Sequence, residues 1–151
     1  MSLRIEQRET EGVIILDLHG SLAIGEGEVE LRDKLAALRH AGSVNVVLNL
    51  KHLSHLDSTG LGTLVIGLAR LRKADGKLAL LNVNQSHMEL FSLTKLALAF
   101  EFFDDEHDAV NSFFPDRAIQ HFDILEFVQQ EEAHKADEAA LSERQSLIES
   151  T

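Results

Sequence analysis

Hydrophobic residues recur along this chain with two alternating spacings. Short runs rich in Val, Ile and Leu, such as residues 44–50, are typical of buried strands, whereas apolar residues three and four apart indicate helices. Predicted strands cover residues 2–8, 12–19, 44–50, 77–83 and 98–103, and predicted helices cover 28–41, 58–74, 86–96 and 105–113. Strands separated by helices predict an α/β fold with right-handed crossovers. The first two strands predict a hairpin that turns at residues 9–12, so the sheet should be mixed.

Residues 54–63 form the most informative segment of the chain, with the sequence Ser-His-Leu-Asp-Ser-Thr-Gly-Leu-Gly-Thr. They follow the predicted strand 44–50 and lead into apolar residues at helical spacing. A short loop should therefore place Asp57, Ser58 and Thr59 at the start of a helix. Backbone N–H groups there have no partner within the helix, and the helix dipole favours negative charge. A hydroxyl at this point is well placed to carry a phosphate.

The same three residues also have a plain structural interpretation. Asp, Ser and Thr are preferred N-cap residues, so a helix cap alone would explain them. It leaves unexplained the glycines of the predicted helix, Gly60, Gly62 and Gly67, each of which costs about 1 kcal/mol relative to Ala. Glycines at such positions usually permit close approach of the backbone to its own sheet or to a partner. Both interpretations remain open from the residues alone.

The segment Leu56-Asp-Ser-Thr-Gly-Leu-Gly62, coming after a Val-Val-Leu-Asn-Leu strand, resembles the signature of the STAS domain family, in particular the bacterial anti-sigma-factor antagonists. Further similarity lies in residues 12–20, 31–35, 76–83 and 90–96, and the order and spacing agree from about residue 3 to 113. The resemblance implies a mixed β-sheet with interleaved helices. The helix-prone residues that follow it predict a C-terminal helical extension in addition.

The resemblance also implies a function for the signature segment. In that family the serine directly after the motif Asp, here Ser58, is phosphorylated by an anti-sigma factor that is also a serine kinase, and a phosphatase reverses the reaction. The unphosphorylated form binds the kinase and the phosphorylated form does not. The residues implied to form the partner surface are Asp57, Ser58, Thr59, Gly60, Leu61 and Gly62. No catalytic residue, metal or cofactor is implied.

One position departs from the family pattern. The second strand of the family commonly ends in Gly-x-Leu-Asp, whereas this chain has Gly20-Ser-Leu-Ala23. Glu26 or Glu28 could supply the missing carboxylate, but Gly25 and Gly27 predict a flexible loop there. Some STAS proteins are scaffolds or binding modules associated with transporters or lipid trafficking and undergo no phosphorylation. That class is the alternative function.

Two further kinds of site have candidate residues. His19, His52 and His55 should lie near one rim of the sheet and could in principle ligate zinc, although no helical His-x-x-x-His pair supports this. A serine hydrolase would need Ser58 as nucleophile, His55 as base and Asp57 as orienting group. The sequence lacks the Gly-x-Ser-x-Gly elbow, and residues so close along the chain rarely converge as a triad. We therefore predict no enzyme activity.

Composition narrows the partners further. The net charge of −11 argues against binding to nucleic acid or to an anionic membrane surface and favours a basic patch on another protein. The absence of cysteine excludes a disulfide framework and cysteine-ligated zinc. No apolar run is long enough to span a membrane and no signal peptide is evident, so we expect a cytoplasmic protein.

Pro115, the only proline, marks the expected boundary between a STAS domain at residues 1–114 and an acidic extension at 115–151. Residues 116–151 are helix-prone and contain nine acidic and three basic side chains. The extension could dock on its own domain, pair with a second copy to form a homodimer, or stay disordered at its end. We expect the apolar stretch Phe122–Val128 to be ordered and the last ten residues to fray.

Overall fold

Five strands form one mixed sheet in the computed structural model, which describes residues 2–116. The strands are β1 (Leu3–Thr10), β2 (Val13–Leu22), β3 (Asn45–Leu56), β4 (Lys77–Leu81) and β5 (Glu101–Phe103), and they neighbour one another in that order. β1 pairs antiparallel with β2, and every other pairing is parallel. The predicted α/β fold with a mixed sheet is confirmed.

Helices follow each of the strands β2 to β5, and those before β5 connect parallel strands. They are α1 (Glu26–His40), α2 (Ser58–Lys73), α3 (Gln85–Leu93) and α4 (Glu106–Asn111), with a 3-10 helix at Leu96–Ala99. Because successive side chains of a strand point to opposite faces, β2 contributes Ile14, Leu16 and Leu18 to one hydrophobic cluster and Val13 and Ile15 to another. The first cluster also contains residues of α1, α2 and α3, whereas the second is completed by α4.

β3 is longer than the sequence pattern predicts, since it continues from residue 50 to Leu56. Most of the added residues are polar, and among them Leu53 is the one buried hydrophobic residue. They stay in the sheet because they pair with the end of β2, for example His52 with His19, across two register shifts. The predicted loop before α2 therefore shrinks to Asp57.

The predicted helix 86–96 is wrong at its C-terminal end. α3 stops at Leu93 because Lys95 has a left-handed backbone with φ of 61°, which ends a right-handed helix. The Thr94 hydroxyl donates to the Leu90 and Phe91 carbonyl oxygens in that last turn. The following residues 96–99 form the separate 3-10 helix, and β5 starts only at residue 101 rather than 98.

No helix within residues 2–116 is both long enough and apolar enough to cross a membrane. The predictions for most of the extension, including the ordered stretch Phe122–Val128 and pairing with a second copy, fall outside the described residues, and the domain boundary at Pro115 stays a prediction.

Candidate functional site

Ser58 is the first residue of α2 and lies exposed at the surface. Asp57, between β3 and α2, has an extended backbone with φ of −107°. One of its carboxylate oxygens accepts a hydrogen bond from the Gly60 backbone N–H at 2.8 Å. Asp57 is therefore the N-cap of α2 and fixes where the helix begins. The structure thus places Asp57, Ser58 and Thr59 at a helix start, as the sequence predicts.

The second carboxylate oxygen of Asp57 binds another segment of the chain. It accepts a hydrogen bond from the Ile24 backbone N–H at 3.0 Å. Burial alone would raise the pKa of Asp57, but the hydrogen bonds from the backbone N–H groups of Gly60 and Ile24 outweigh burial and lower it. Asp57 is consequently an anion at neutral pH that ties the loop after β2 to the start of α2.

Gly60 and Gly62 have different surroundings although both lie in the first turns of α2. A methyl group on Gly60 would overlap the Leu22 carbonyl oxygen, so β2 and α2 can approach this closely only with glycine. A methyl group on Gly62 would meet, outside the adjoining backbone of α2, no atom of residues 2–116 within 4 Å. Close approach to the chain's own sheet therefore accounts for Gly60, while the space above Gly62 is open.

The six predicted partner-binding residues differ in their access to solvent. Ser58 is exposed, Asp57, Thr59 and Gly62 are half-buried, and Gly60 and Leu61 are buried. The Leu61 side chain is only 2 % exposed and belongs to the hydrophobic core. Gly60 and Leu61 thus support the start of α2 from its buried side. A role for any of the six residues at a partner surface stays a prediction.

Two exposed isoleucines, one in the loop held by Asp57 and one on the Ser58 face of α2, were not predicted from the sequence. Ile24 is 79 % exposed and is held by its N–H to Asp57, and Ile66 is 49 % exposed. Ser58, Gly62 and Ile66 are spaced four residues apart and so lie on one face of α2. We call Ile24, Ser58, Gly62 and Ile66 the Ser58 surface. The available signal was that Ile66 falls outside the periodic apolar stripe of α2.

Ala23, the position of the missing family carboxylate, is half-buried just after β2. Glu26 and Glu28 do not replace that carboxylate: Glu28 pairs with Arg32 at 3.0 Å, and Glu26 is exposed in the first turn of α1. Within residues 2–116, neither glutamate forms a hydrogen bond with Ser58.

The loop predicted around Gly25 and Gly27 ends before Gly27. α1 begins at Glu26, so Gly27 is a buried helical residue. A methyl group on Gly27 would overlap the Ser21 carbonyl oxygen, which shows that this glycine permits close packing of α1 on β2.

The three candidate zinc ligands do not converge. His19 and His52 lie on neighbouring strands with their rings stacked, the centroids 4.9 Å apart and the planes 7° from parallel. His55 instead has its Nδ1 atom 3.3 Å from the Ser54 hydroxyl oxygen. Residues 2–116 contain no group of three or more His, Cys, Asp or Glu side chains arranged to hold a metal ion.

The hydrolase arrangement is likewise not assembled. The Asp57 carboxylate is engaged by the backbone N–H groups of Gly60 and Ile24, and His55 contacts Ser54. Among the described residues no hydrogen bond joins His55 to Ser58. Within residues 2–116, His55 is therefore not positioned as a base for Ser58.

Comparison with known proteins defines the class of protein. The family model of the STAS domain matches residues 4–109. The chain therefore belongs to the STAS domain family, as the resemblance implied.

Individual relatives agree with this assignment. The chain is 31 % identical to the anti-sigma-B factor antagonist of Bacillus subtilis over 96 residues, which cover 64 % of this chain and 86 % of that protein. It is 27 % identical to the anti-sigma F factor antagonist of Paenibacillus polymyxa, over 73 % of this chain and 94 % of that protein. Among solved structures, the Bacillus cell fate determinant SpoIIAA in its phosphorylated form has the same fold, with a TM-score of 0.59 at 21 % identity over 74 % of this chain and 99 % of that chain.

Proposed function

We propose that this chain is an anti-sigma-factor antagonist, a regulatory protein-binding module that acts in the cytoplasm and has no enzyme activity of its own. Its partner is an anti-sigma factor that is also a serine kinase and phosphorylates Ser58, and a phosphatase removes the phosphate. The observation that carries the proposal is the exposed Ser58 at the first position of α2, on the helix face that also carries Gly62 and Ile66 and close to the loop that holds Ile24. The relatives named as antagonists support the class of partner.

The Ser58 surface is suited to bind a protein when Ser58 is unmodified. Ile24 and Ile66 offer apolar area, and the open space above Gly62 allows a partner side chain to come close to the helix backbone. Phosphorylation would add roughly −1.5 to −2 charges in the middle of this surface. A resulting penalty of about 4 kcal/mol would weaken binding roughly a thousandfold. Such control needs no change of fold.

Asp57 changes how the phosphate would be accommodated. The sequence suggested that free N–H groups of the helix start would hold the phosphate, but the Asp57 carboxylate already accepts from Gly60, and the Leu61 N–H donates to the Asp57 carbonyl. A phosphate on Ser58 would also lie next to that negative charge, which repels it. We therefore expect the phosphate to point outward, where a partner meets it.

Isothermal titration calorimetry tests the proposal, with the purified chain and the anti-sigma factor that is encoded in the same genome as this chain. We expect Ser58→Ala to bind like the unmodified protein and Ser58→Glu to bind at least about tenfold more weakly, because the substitution introduces one full charge at the interface. A chain phosphorylated by the kinase and ATP, with the site mapped by mass spectrometry, should bind roughly a thousandfold more weakly.

Ser86→Glu is the matched control, since Ser86 is an exposed serine in the first turn of α3 and the substitution adds the same charge at another helix start. It should leave binding unchanged. Equal affinities for Ser58→Ala, Ser58→Glu and Ser86→Glu would contradict a role of charge at Ser58.

Ala23 favours the second candidate function, a STAS scaffold that binds partners without a phosphorylation cycle. The carboxylate that the family places near the serine is missing, and Glu28 is engaged elsewhere. Incubation with kinase and ATP separates the two functions. Stable binding without incorporation of phosphate would assign the scaffold, and Ala23→Asp should then raise the rate of phosphorylation if the missing carboxylate is the reason.

A further inference from the structure

A groove between α1 and α2 is separate from the Ser58 surface over most of its length. It has a volume of about 180 Å³ and is open to solvent, and Leu35, Ala36, Gly67 and Leu71 are among the residues that line it. A methyl group on Gly67 would lie 2.8 Å from Leu35 Cδ1, so glycine lets the two helices come close at the base of the groove. We call it the α1–α2 groove.

Positive charge is concentrated at one end of the α1–α2 groove. Arg32 is neutralised by its ion pair with Glu28 at 3.0 Å, whereas Arg39 and Arg70, in the last turns of α1 and α2, form no ion pair with any of residues 2–116. Basic residues at helix C-termini are favourable for the helix dipole, which accounts for their place in the sequence. The helix dipole does not account for the open apolar groove between Arg39 and Arg70 in a chain of net charge −11.

The size of the groove indicates the kind of occupant. A cavity of about 180 Å³ is smaller than the roughly 300–1,000 Å³ of typical small-molecule sites. It is large enough for a few apolar side chains of a partner, and an amphipathic helix presents such side chains at positions i, i+3, i+4 and i+7. Ile66, 49 % exposed at the rim, would extend the apolar contact.

We propose that the α1–α2 groove binds an acidic amphipathic helix of a partner protein. Its apolar side chains enter the groove over Ala36 and Gly67, and Asp or Glu residues at one end pair with Arg39 and Arg70. Arg70 is twelve residues after Ser58 along α2, which corresponds to about 18 Å. The basic end of the groove is therefore distant from Ser58 itself, although Ile66 belongs to both surfaces. This inference does not rest on phosphorylation of Ser58.

Two synthetic peptides test the proposal on the full-length chain by ¹⁵N-resolved NMR titration. Both are helical peptides with leucines at i, i+3, i+4 and i+7, and they differ only in carrying glutamates or lysines at one end. We expect the acidic peptide to shift amides of α1 and α2 that line the groove and to bind about tenfold more tightly than the basic peptide, as expected for two partly exposed ion pairs.

The double variant Arg39→Glu, Arg70→Glu should lose the acidic peptide and gain the basic one. Lys73→Glu is the control, because it reverses a charge in the same last turn of α2 at an exposed position that does not line the groove. Reversal of the peptide preference by the double variant excludes loss of fold as the cause, since an unfolded chain would bind neither peptide.

Several results would overturn the proposal. Shifts that concentrate at Ser58 and Ile24, or equal binding of the two peptides, would show that the groove does not select an acidic helix. The same groove shifts produced by decanoate at a lower concentration would assign a small anionic amphiphile instead. Self-association of the free chain that the double variant abolishes would assign a second copy.

Discussion

The Asp57 carboxylate sets both the start of α2 and the position of the loop that carries Ile24. The cap is predictable from sequence, because Asp-Ser-Thr before apolar residues at helical spacing is a typical N-cap pattern. The bond to Ile24 is not predictable in this way, since the two residues are 33 positions apart and meet only through the pairing of β2 with β3. The exposure of Ile24 escaped prediction for the same reason.

Asp57→Ala should therefore have a local effect in two places. We expect the free energy of unfolding to fall by about 1 kcal/mol through loss of the cap, and the Ile24 amide to exchange its hydrogen faster. Urea unfolding and amide exchange by NMR measure the two effects. Asp105→Ala is the control, because Asp105 caps α4 through the Asp108 N–H and, within residues 2–116, forms no hydrogen bond with the β2–α1 loop. Unchanged exchange at Ile24 in Asp57→Ala would contradict the proposed tie.

Gly62→Ala and Gly60→Ala should change stability in opposite directions. Alanine at Gly62 meets no neighbour among the described residues and is better in a helix, so the free energy of unfolding should rise by about 1 kcal/mol. Alanine at Gly60 would overlap the Leu22 carbonyl oxygen, so α2 must shift from β2 and stability should fall by about 1–3 kcal/mol. Denaturant unfolding of the pair is the measurement. An increase in the free energy of unfolding on Gly60→Ala would show that close packing of α2 on β2 does not require glycine at this position.

At the scale of elements, the strands and helices rich in apolar residues were predictable and their ends were less so. The C-terminal half of β3 was missed because Ser54 and His55 have no strand-like apolar alternation and stay in the sheet through pairing with β2. The end of α3 was not predicted because the left-handed backbone falls on Lys95, whereas a glycine at that position would have indicated the end of a helix. In β3 the pairing with β2 overrides the local pattern.

An ion-pair network links elements that are distant in sequence. The Arg8 guanidinium on β1 donates to both carboxylate oxygens of Asp17 on β2, at 2.6 and 2.9 Å, and also to Glu106 on α4. Asn49 on β3 donates to Asp17 at 2.8 Å. The hydrogen bonds from Arg8 lower the pKa of Asp17 against the opposing effect of burial, so the carboxylate is charged in the folded state.

Arg8→Gln should weaken this link in a pH-dependent manner. At neutral pH we expect a loss of about 1 kcal/mol, a modest value because Arg8 is 43 % exposed. Since the pKa of Asp17 is lower in the folded than in the unfolded chain, the stabilisation is fully present above about pH 4 and is lost as the pH falls through the folded value. The difference in the free energy of unfolding between the unmodified chain and Arg8→Gln, measured by urea unfolding, should thus become smaller below about pH 4. Arg4→Gln, which removes only an exposed pair with Glu6, should show no comparable narrowing.

At the scale of the whole molecule, the family was predictable because its motifs are spread over most of the chain. The Ser58 surface was predictable only in part, because exposed residues such as Ile24 and Ile66 take their place from the fold and not from a local pattern. Within residues 2–116, the buried members of both hydrophobic clusters all lie between residues 3 and 110.

A fragment of residues 1–116 should accordingly fold and keep its dependence on Ser58. We expect its free energy of unfolding to lie within about 1 kcal/mol of that of the full chain, because no member of either buried cluster is removed. A fragment of residues 1–103 should be less stable by about 2 kcal/mol or more, since it loses the buried Val110 along with Ala109 and the Arg8–Glu106 pair. Urea unfolding measures the stability of the full chain and of the two fragments. Titration of the anti-sigma factor into each chain that folds then measures binding. A 1–116 fragment that unfolds cooperatively like the full chain but no longer distinguishes Ser58→Ala from Ser58→Glu would assign part of the partner surface to residues 117–151.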